Sequence, residues 1–365
     1  MRRIIFHIPV NLDKNIASGS QIRPQLLLKA FKDEGFIVDT IAGYGKQRKH
    51  LIRNIKKSIK SGVKYDFLYS ESSTMPTALT EPNHIPKYLN LDFNFFKYCK
   101  KQQIPIGLFY RDIYWKFPEY QPNSLLKRLI LNFFYKYDIY NYKKTINYLY
   151  LPSMKMLDYL PNIKTDGFNI KALPPGVTTK FVPNNKDSIN KELNIFYVGG
   201  IGKVYKFPVL LKVISEMKNI NLTVCLRELE WINEKDAYDI YINQNINIIH
   251  KSGKDLLPYF SNADILSLFL EPNEYRKFAM PFKLFEYIEK GKPILATSNT
   301  AVGEFVKEND IGWVIDYNYS KLKELLEHIN NNKQEINIKK QNIQKCAEIN
   351  SWQNRVKQIS KDLSI

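Results

Sequence analysis

Two stretches of this 365-residue sequence combine residue types suited to holding an anion. The first is Tyr197-Val198-Gly199-Gly200-Ile201-Gly202-Lys203-Val204-Tyr205-Lys206, an apolar run that breaks on glycines and continues with lysines. Glycine lets the backbone approach a phosphate closely. The helix predicted to follow over residues 209–217 offers unpaired amides and the positive end of its dipole. Lys203 and Lys206 supply charge to neutralise a diphosphate. The last glycine of the dinucleotide-binding fingerprint is missing, so a plain tight turn stays as open as a phosphate site. The second stretch is Pro281-Phe282-Lys283-Leu284-Phe285-Glu286-Tyr287. Pro281 suits the first turn of a helix, which sets Lys283 where the helix start meets an anion and Glu286 one turn later on the same side. A carboxylate there accepts two hydrogen bonds from a ribose diol. The alternative is a surface Lys–Glu pair, worth little.

These residues need a scaffold, and the sequence predicts one of alternating strands and helices. In the first half, strands are expected over residues 4–10, 36–38, 66–69 and 106–110, with a helix over 22–34 ending at Gly35. Pro174-Pro175-Gly176 and the polar run over 182–190 break the periodicity and read as a linker. Alternation then restarts, with strands over 194–198, 222–226, 246–250, 265–270, 293–297 and 313–315 and closing helices over 322–329 and 352–363. Such alternation indicates mostly parallel sheets with crossover helices. Ligands sit at the carboxyl ends of such strands. Arg227 therefore reads as a phosphate contact, Glu230 (or Trp231) as a wall of the same pocket, and Ser252, in His250-Lys251-Ser252-Gly253, as a source of backbone groups for a nucleobase. A structural role for Trp231 is equally open.

Composition narrows the field. Apolar residues make up 44%, enough for real cores, and no run approaches a membrane span. The first ten residues resemble a signal peptide only superficially and read better as a buried strand. Three scattered cysteines argue against a disulfide framework and fit a reducing cytoplasm, and the five histidines form no ligand cluster. The net charge of +18 attracts polyanions without choosing among nucleic acid, anionic lipid and phosphorylated small molecules. Lys46, Arg48, Lys49, Arg53, Lys56, Lys57, Lys60 and Lys64 lie in a stretch free of acidic residues, beside an apolar stripe of Leu51, Ile55 and Ile59. That is the pattern of a helix lying on an anionic membrane. A stripe packed on its own domain is the equal alternative. Residues 125–144 mix Leu129, Ile130, Phe133 and Phe134 with Lys127, Arg128 and Lys136, and read as a core helix with a basic outer face, or as a neighbour of a lipid-linked ligand.

Pro281–Tyr287 together with Gly291-Lys292-Pro293 resembles the donor-binding segment of GT-B-fold glycosyltransferases, family 4 above all. The glycine turn after Tyr197-Val198, Pro175-Gly176-Val177, Ser153 after an apolar run, and Ser351-Trp352 follow in that family's order. The resemblance implies an α/β chain of two Rossmann-like domains facing each other across a cleft. An acceptor-side domain would span residues 1–178 and a nucleotide-sugar domain 179–349, with a helix over 350–365 returning to the first. It implies Glu286 on the ribose hydroxyls, Lys283 on the diphosphate, and the turn from Gly199 to Lys203 on the phosphates from the other side.

In the acceptor domain, Ser18-Gly19-Ser20 with Arg23, Glu71-Ser72-Ser73-Thr74 and Tyr110-Arg111-Asp112-Ile113-Tyr114-Trp115 would reach the cleft. Asp112 is the candidate acceptor base or stabiliser of anomeric charge, with Arg111 beside it or paired to it structurally. Gly19 would let the backbone approach the donor, and Ser20, Glu71, Ser72 and Tyr114 would meet the acceptor. One departure stands out: the family commonly has a glutamate where this chain has Phe278, eight residues before Glu286. The grip on the transferred sugar, and with it retention of anomeric configuration, is open at that point. No Asp-X-Asp metal clamp, P-loop or serine-hydrolase elbow occurs. The expectation is transfer of a hexosyl unit, without a metal or other cofactor, from a UDP-linked sugar to a glycan or lipid-linked acceptor, with UDP as product. A cytoplasmic enzyme, peripheral on the membrane, would do this. The alternatives are an epimerase or phosphorylase of the same fold, and a basic nucleic-acid-binding protein, which lacks a reading motif.

Overall fold

The structure, a computed structural model, describes residues 2–13, 18–160, 163, 167–178, 192–202 and 205–364. The chain divides into two compact units, Met1–Gly176 with Trp352–Ile365, and Val177–Ser351. In the first, β1 (Arg3–His7), β2 (Ile37–Ile41), β3 (Phe67–Glu71), β4 (Ile106–Phe109), β5 (Tyr148–Leu151) and β6 (Asn169–Ala172) form a parallel sheet in the order β2-β1-β3-β4-β5-β6. Its helices are α1 (Gly19–Asp33), α2 (Gly45–Lys60), α3 (Leu91–Lys101) and α4 (Leu125–Thr145). The second unit holds β7 (Leu193–Val198), β8 (Ile220–Cys225), β9 (Ile246–Ile249), β10 (Ile265–Leu268), β11 (Ile294–Thr297) and β12 (Gly312–Ile315), parallel in the order β12-β11-β10-β7-β8-β9. Around them run α5 (Pro208–Ser215), α6 (Glu228–Glu234), α7 (Leu257–Asn262), α8 (Phe282–Glu289), α9 (Ala301–Glu308), α10 (Tyr319–Asn331) and α11 (Gln334–Ile349).

Helices cover both sheet faces, so β3, β4, β10 and β11 are buried along their whole length and read as mainly apolar runs, with Ser70, Glu71, Ser267 and Thr297 as buried polar exceptions. Edge strand β6 escaped sequence reading because Asn169 and Lys171 alternate with half-buried residues and leave no such run. The expected linker over 182–190 lies outside the described residues.

The last helix, α12 (Trp352–Leu363), belongs to the first unit. Arg355 Nε donates to the carbonyls of Pro174 at 3.1 Å and Pro175 at 3.3 Å, and Lys171 pairs with Asp362. Gly176 and Gly107 both lie close against this helix. A Cβ on Gly176 would lie 2.6 Å from the Trp352 ring, and one on Gly107 2.8 Å from Leu363.

Two surface helices bear on readings that the sequence left open. In α2 the apolar side faces its own unit, with Ile52 and Ile55 buried and Leu51 and Ile59 half-buried. Arg48, counted above with the cationic face, is 1% exposed. Its Nε and Nη2 donate to the two oxygens of Asp92 at 2.9 and 3.0 Å, and its Nη1 donates to the Gly43 carbonyl at 2.7 Å. Burial alone would raise the Asp92 pKa, but His7 and Arg48 outweigh it and hold the carboxyl below its ordinary value. A helix lies on a membrane by sinking its apolar face, and that face of α2 is already covered. Lys46, Lys49, Arg53, Lys57, Lys60 and Lys64 remain exposed.

The second is α4. Its packed side is polar and aromatic (Tyr135, Asp138, Asn141, Tyr142 and Thr145), while Leu125, Leu126, Leu129, Ile130 and Phe133 are exposed. The aliphatic pattern therefore pointed to the wrong face. Asp138 Oδ2 accepts the Thr77 amide at 2.7 Å, and Oδ1 has no hydrogen-bond partner among the described residues. Burial pushes the Asp138 pKa from 3.8 up to about 7, against the pull of the Thr77 hydrogen bonds. A carboxyl whose folded pKa lies above its unfolded value contributes stability at low pH and loses it as pH rises through the folded pKa. The first unit is therefore expected to lose stability between about pH 4 and pH 7, and Asp138→Asn to flatten that slope in thermal melts across the range.

Candidate functional site

In the second unit the strand order reverses direction between β7 and β10, the topological switch point where α/β sheets bind ligands beyond their carboxyl ends. The glycine turn leaves β7 at this point. The Gly199 amide donates to the Cys225 carbonyl at 3.0 Å, and a Cβ there would lie 2.4 Å from the Tyr197 hydroxyl. Gly202 has φ 115°, which disfavours any side chain. Lys203 lies outside the described residues. Lys206 is exposed, and its carbonyl accepts the Glu271 amide at 2.8 Å, joining the loops after β7 and β10. Helix α5 begins only at Pro208, so the turn and that helix start are separated by several residues.

The other half of this site is α8. Lys283 donates its ammonium to the Val198 carbonyl. The Tyr287 hydroxyl accepts the Val198 amide at 3.1 Å. The beginning of α8 is thereby fastened to the last residue of β7, and Lys283, Gly199 and Gly200 come together. Burial lowers the Lys283 pKa, with Glu286 and Cys225 acting in the opposite sense. Glu286 is half-buried one turn along the helix. Tyr287 was not singled out from sequence, because a tyrosine on the apolar side of a helix looks like any core residue.

Helix α6 closes over the turn. Arg227 pairs with Glu230, and the other Glu230 oxygen is buried without a hydrogen-bond partner among the described residues, 3.6 Å from where a Gly200 Cβ would stand. Gly200 leaves room for that carboxylate or for a ligand oxygen. Arg227 and Ser252 are exposed. Phe278, in the place where the resembled family commonly has a glutamate, is buried.

In the first unit the strand-end clusters meet, with roles unlike those expected. Glu71 is 0% exposed. One of its oxygens receives Arg23 Nη1 and the Tyr69 hydroxyl, the latter at 3.1 Å, and the other receives Arg111 Nη2 at 3.0 Å. Arg23 also donates to the Leu173 carbonyl at 3.1 Å and stacks 3.5 Å from the Phe109 ring centre. Ser72 is buried, its hydroxyl accepting the Arg111 amide at 2.9 Å. Expected to face an acceptor, Glu71 and Ser72 instead serve as counter-ion and anchor for two arginines. Arg111 turns to Glu71 and Ser72, and its guanidinium pKa is lowered by burial, with Glu71 opposing. Asp112 is half-buried, with Oδ1 accepting the Ile113 amide at 2.7 Å. Tyr114 is half-buried, 4.6 Å from the Tyr120 ring. Gly19 opens α1, and Ser20 lies 2.9 Å from the Ser18 hydroxyl. A buried set missed from sequence is His7, which bridges Ser70 at 2.8 Å and Asp92 at 2.9 Å; a lone histidine ending a strand carried no signal.

Comparison with known proteins gives these features a frame. Residues 269–362 match the family model "Glucosyltransferase 3-like, C-terminal domain". No curated protein matches the sequence. Among solved structures, a glycosyltransferase from Rickettsia africae superimposes with TM-score 0.66 at 14% identity, covering 99% of this chain and 98% of that one. Anabaena HepE in complex with UDP and glucose superimposes with TM-score 0.65 at 11% identity over 100% of both chains. Sucrose-phosphate synthase from Thermosynechococcus elongatus gives 0.62 at 13% identity, over 99% of this chain and 98% of that. The chain has the GT-B glycosyltransferase fold. With the glucosyltransferase-like match, most of it in the second unit, that fold supports a transferase enzyme.

In this GT-B chain the second unit presents Lys283 and the start of α8 to a glycine turn, a combination that can stabilise negative charge. Among the described residues no group of three or more His, Cys, Asp and Glu could hold a metal ion, and no helix is long and apolar enough to cross a membrane.

Proposed function

We propose that the protein transfers a hexosyl unit from a UDP-linked sugar to a hydroxyl of a growing glycan or lipid-linked acceptor. The observation that carries this reading is the convergence of Gly199–Gly200, Lys283 and Glu286 at the switch point of the second unit. Lys283, Lys206 and Arg227 would neutralise the diphosphate without a metal, with Lys203 beside them in sequence, and Glu286 would hold the ribose. Glu230, with an oxygen over Gly200 that has no hydrogen-bond partner among the described residues, would accept a donor hydroxyl once Arg227 swings to the phosphates. Ser252 would lie toward the base. In the first unit Asp112 would act as acceptor base or as counter-charge to the anomeric carbon, held in place by its Ile113 hydrogen bond, with Tyr114, Ser20 and the Gly19 backbone nearby. Arg111 would act through its fixed position next to Asp112. HepE was crystallised with UDP and with UDP-glucose, which supports uridine over other nucleotides. Retention of anomeric configuration and a place in polysaccharide synthesis on the cytoplasmic face of the membrane complete the proposal.

The test is thermal unfolding with UDP, GDP, ADP, CMP and their sugar conjugates. A nucleotide at about 100 times its Kd adds about 2.7 kcal/mol, so UDP and UDP-sugars should raise Tm while the other nucleotides leave it unchanged. A response to none of them would sink the donor-site assignment. Conversion of the donor by water or phosphate alone, with no sugar acceptor present, would indicate an epimerase or phosphorylase instead.

A further inference from the structure

Helix α4 has two opposed faces. Tyr135, Asp138, Tyr142 and Thr145 turn inward. The Tyr135 hydroxyl donates to the Thr74 carbonyl at 2.7 Å, and the Tyr142 and Thr77 hydroxyls are 2.9 Å apart. With 3.6 residues per turn, Leu125, Leu126, Leu129, Ile130 and Phe133 share the opposite side. Among the described residues they are the longest run of exposed large apolar side chains on any helix, reaching 67% exposure at Leu126 and 62% at Phe133. Scattered apolar residues are ordinary on a surface, but a contiguous patch marks a contact. The charge around it is one-sided. From residue 121 to residue 147 the only acidic side chain is Asp138, which is buried, whereas Lys127, Lys136 and Lys144 are exposed. An apolar strip beside exposed lysines of the same helix matches one kind of surface, the headgroup and acyl boundary of an anionic bilayer.

We infer that the outward face of α4, from Leu125 to Phe133, is a membrane-docking surface selective for anionic lipid. It replaces α2, whose apolar side is already covered, as the membrane-facing element. The inward face of the same helix braces Thr74 and Thr77 in the segment after β3, and Tyr135 stacks on Trp115 with ring centres 5.2 Å apart. Both contacts lie on loops that follow the carboxyl ends of β3 and β4, where the acceptor-side residues are. The docking surface itself stands apart from the transferase reading. The further step, that the acceptor is a lipid-linked glycan delivered at this face, rests on that reading.

The experiment is sedimentation with vesicles of phosphatidylcholine alone and of phosphatidylcholine mixed with phosphatidylglycerol, using the full chain. The protein should bind the mixed vesicles, with binding weakened by added salt, and bind pure phosphatidylcholine far less. Leu129→Glu with Phe133→Glu should weaken binding by about tenfold or more. Both side chains are exposed, so the variant should keep the wild-type Tm and any UDP-induced shift in it. Lys49→Glu with Arg53→Glu on α2 should weaken binding less than the α4 variant does. The inference is overturned if the wild type binds neither vesicle or if the α4 variant binds as the wild type does. Concentration-dependent dimers, abolished by that variant in a protein that ignores vesicles, would equally overturn it, because a second copy would then cover the face. Vesicle binding without any nucleotide response would leave the docking surface standing and remove the transferase reading.

Discussion

Replacing Lys283 with alanine is expected to lower kcat/KM for sugar transfer by about 10²- to 10³-fold, the usual effect of deleting one preorganised charge partner of a transition state. The structural reason is the place of the ammonium. It is largely withdrawn from water, which lowers its pKa, and it is aimed at the Val198 carbonyl where β7 opens into the glycine turn. A poorly hydrated cation fixed at this point gains more from a diphosphate than a surface lysine would, because little water has to be displaced and the local dielectric is low. Arginine should not restore the rate, since a planar fork cannot reproduce a single ammonium contact in a buried site. Tyr287 would still hold Val198 through the backbone amide, so the fold should survive. Glu286→Ala should behave differently. A ribose contact exists both before and during transfer, so its loss raises KM and leaves kcat nearly unchanged. A charged hydrogen bond is worth about 1.5–3 kcal/mol, which corresponds to a rise of about 10- to 100-fold. Steady-state kinetics with the nucleotide sugar found in the melting screen would check both variants. Full activity in both would remove the site from the second unit.

Glu71→Gln should destabilise the protein by about 3–5 kcal/mol, the range for breaking a buried ion pair from one side. Glu71 is wholly buried, and its two oxygens are divided between Arg23 and Arg111. Neither guanidinium can shed its proton, so without the carboxylate two positive charges would face each other in the interior. For a unit of this size the loss corresponds to a fall in Tm of about 10 °C, readable by calorimetry or circular dichroism. Asp112→Asn is the matched control. An asparagine oxygen can still accept the Ile113 amide, so Tm should hold, while activity should fall if Asp112 acts on the acceptor. A Glu71 variant that melts like the wild type would show that the arginines are solvated and that the cluster is an open site after all.

The sequence by itself determined what is encoded locally. Mainly apolar runs without alternation marked strands such as β10 and β11, because strands covered on both faces need none. The glycines after Val198 marked a break from strand into turn, and Gly202 with its positive φ lies in that turn. Pro281 marked the start of α8, which placed Lys283 and Glu286 one turn apart within a single short helix. Residues 352–363 carried a helical pattern with matching bounds. Tertiary structure alone decided which charges meet. Arg23 and Glu71 lie 48 positions apart and Arg48 and Asp92 lie 44 apart, and no local period records a pairing at that range. Hence Glu71 passed for an acceptor contact and Arg48 for a surface cation, although each is neutralised in the interior. The same limit hid the outer face of α4. Its pattern shows where the leucines fall around the helix, but only the packing of Tyr135, Asp138 and Tyr142 against the segment after β3 decides which face is left to the surroundings.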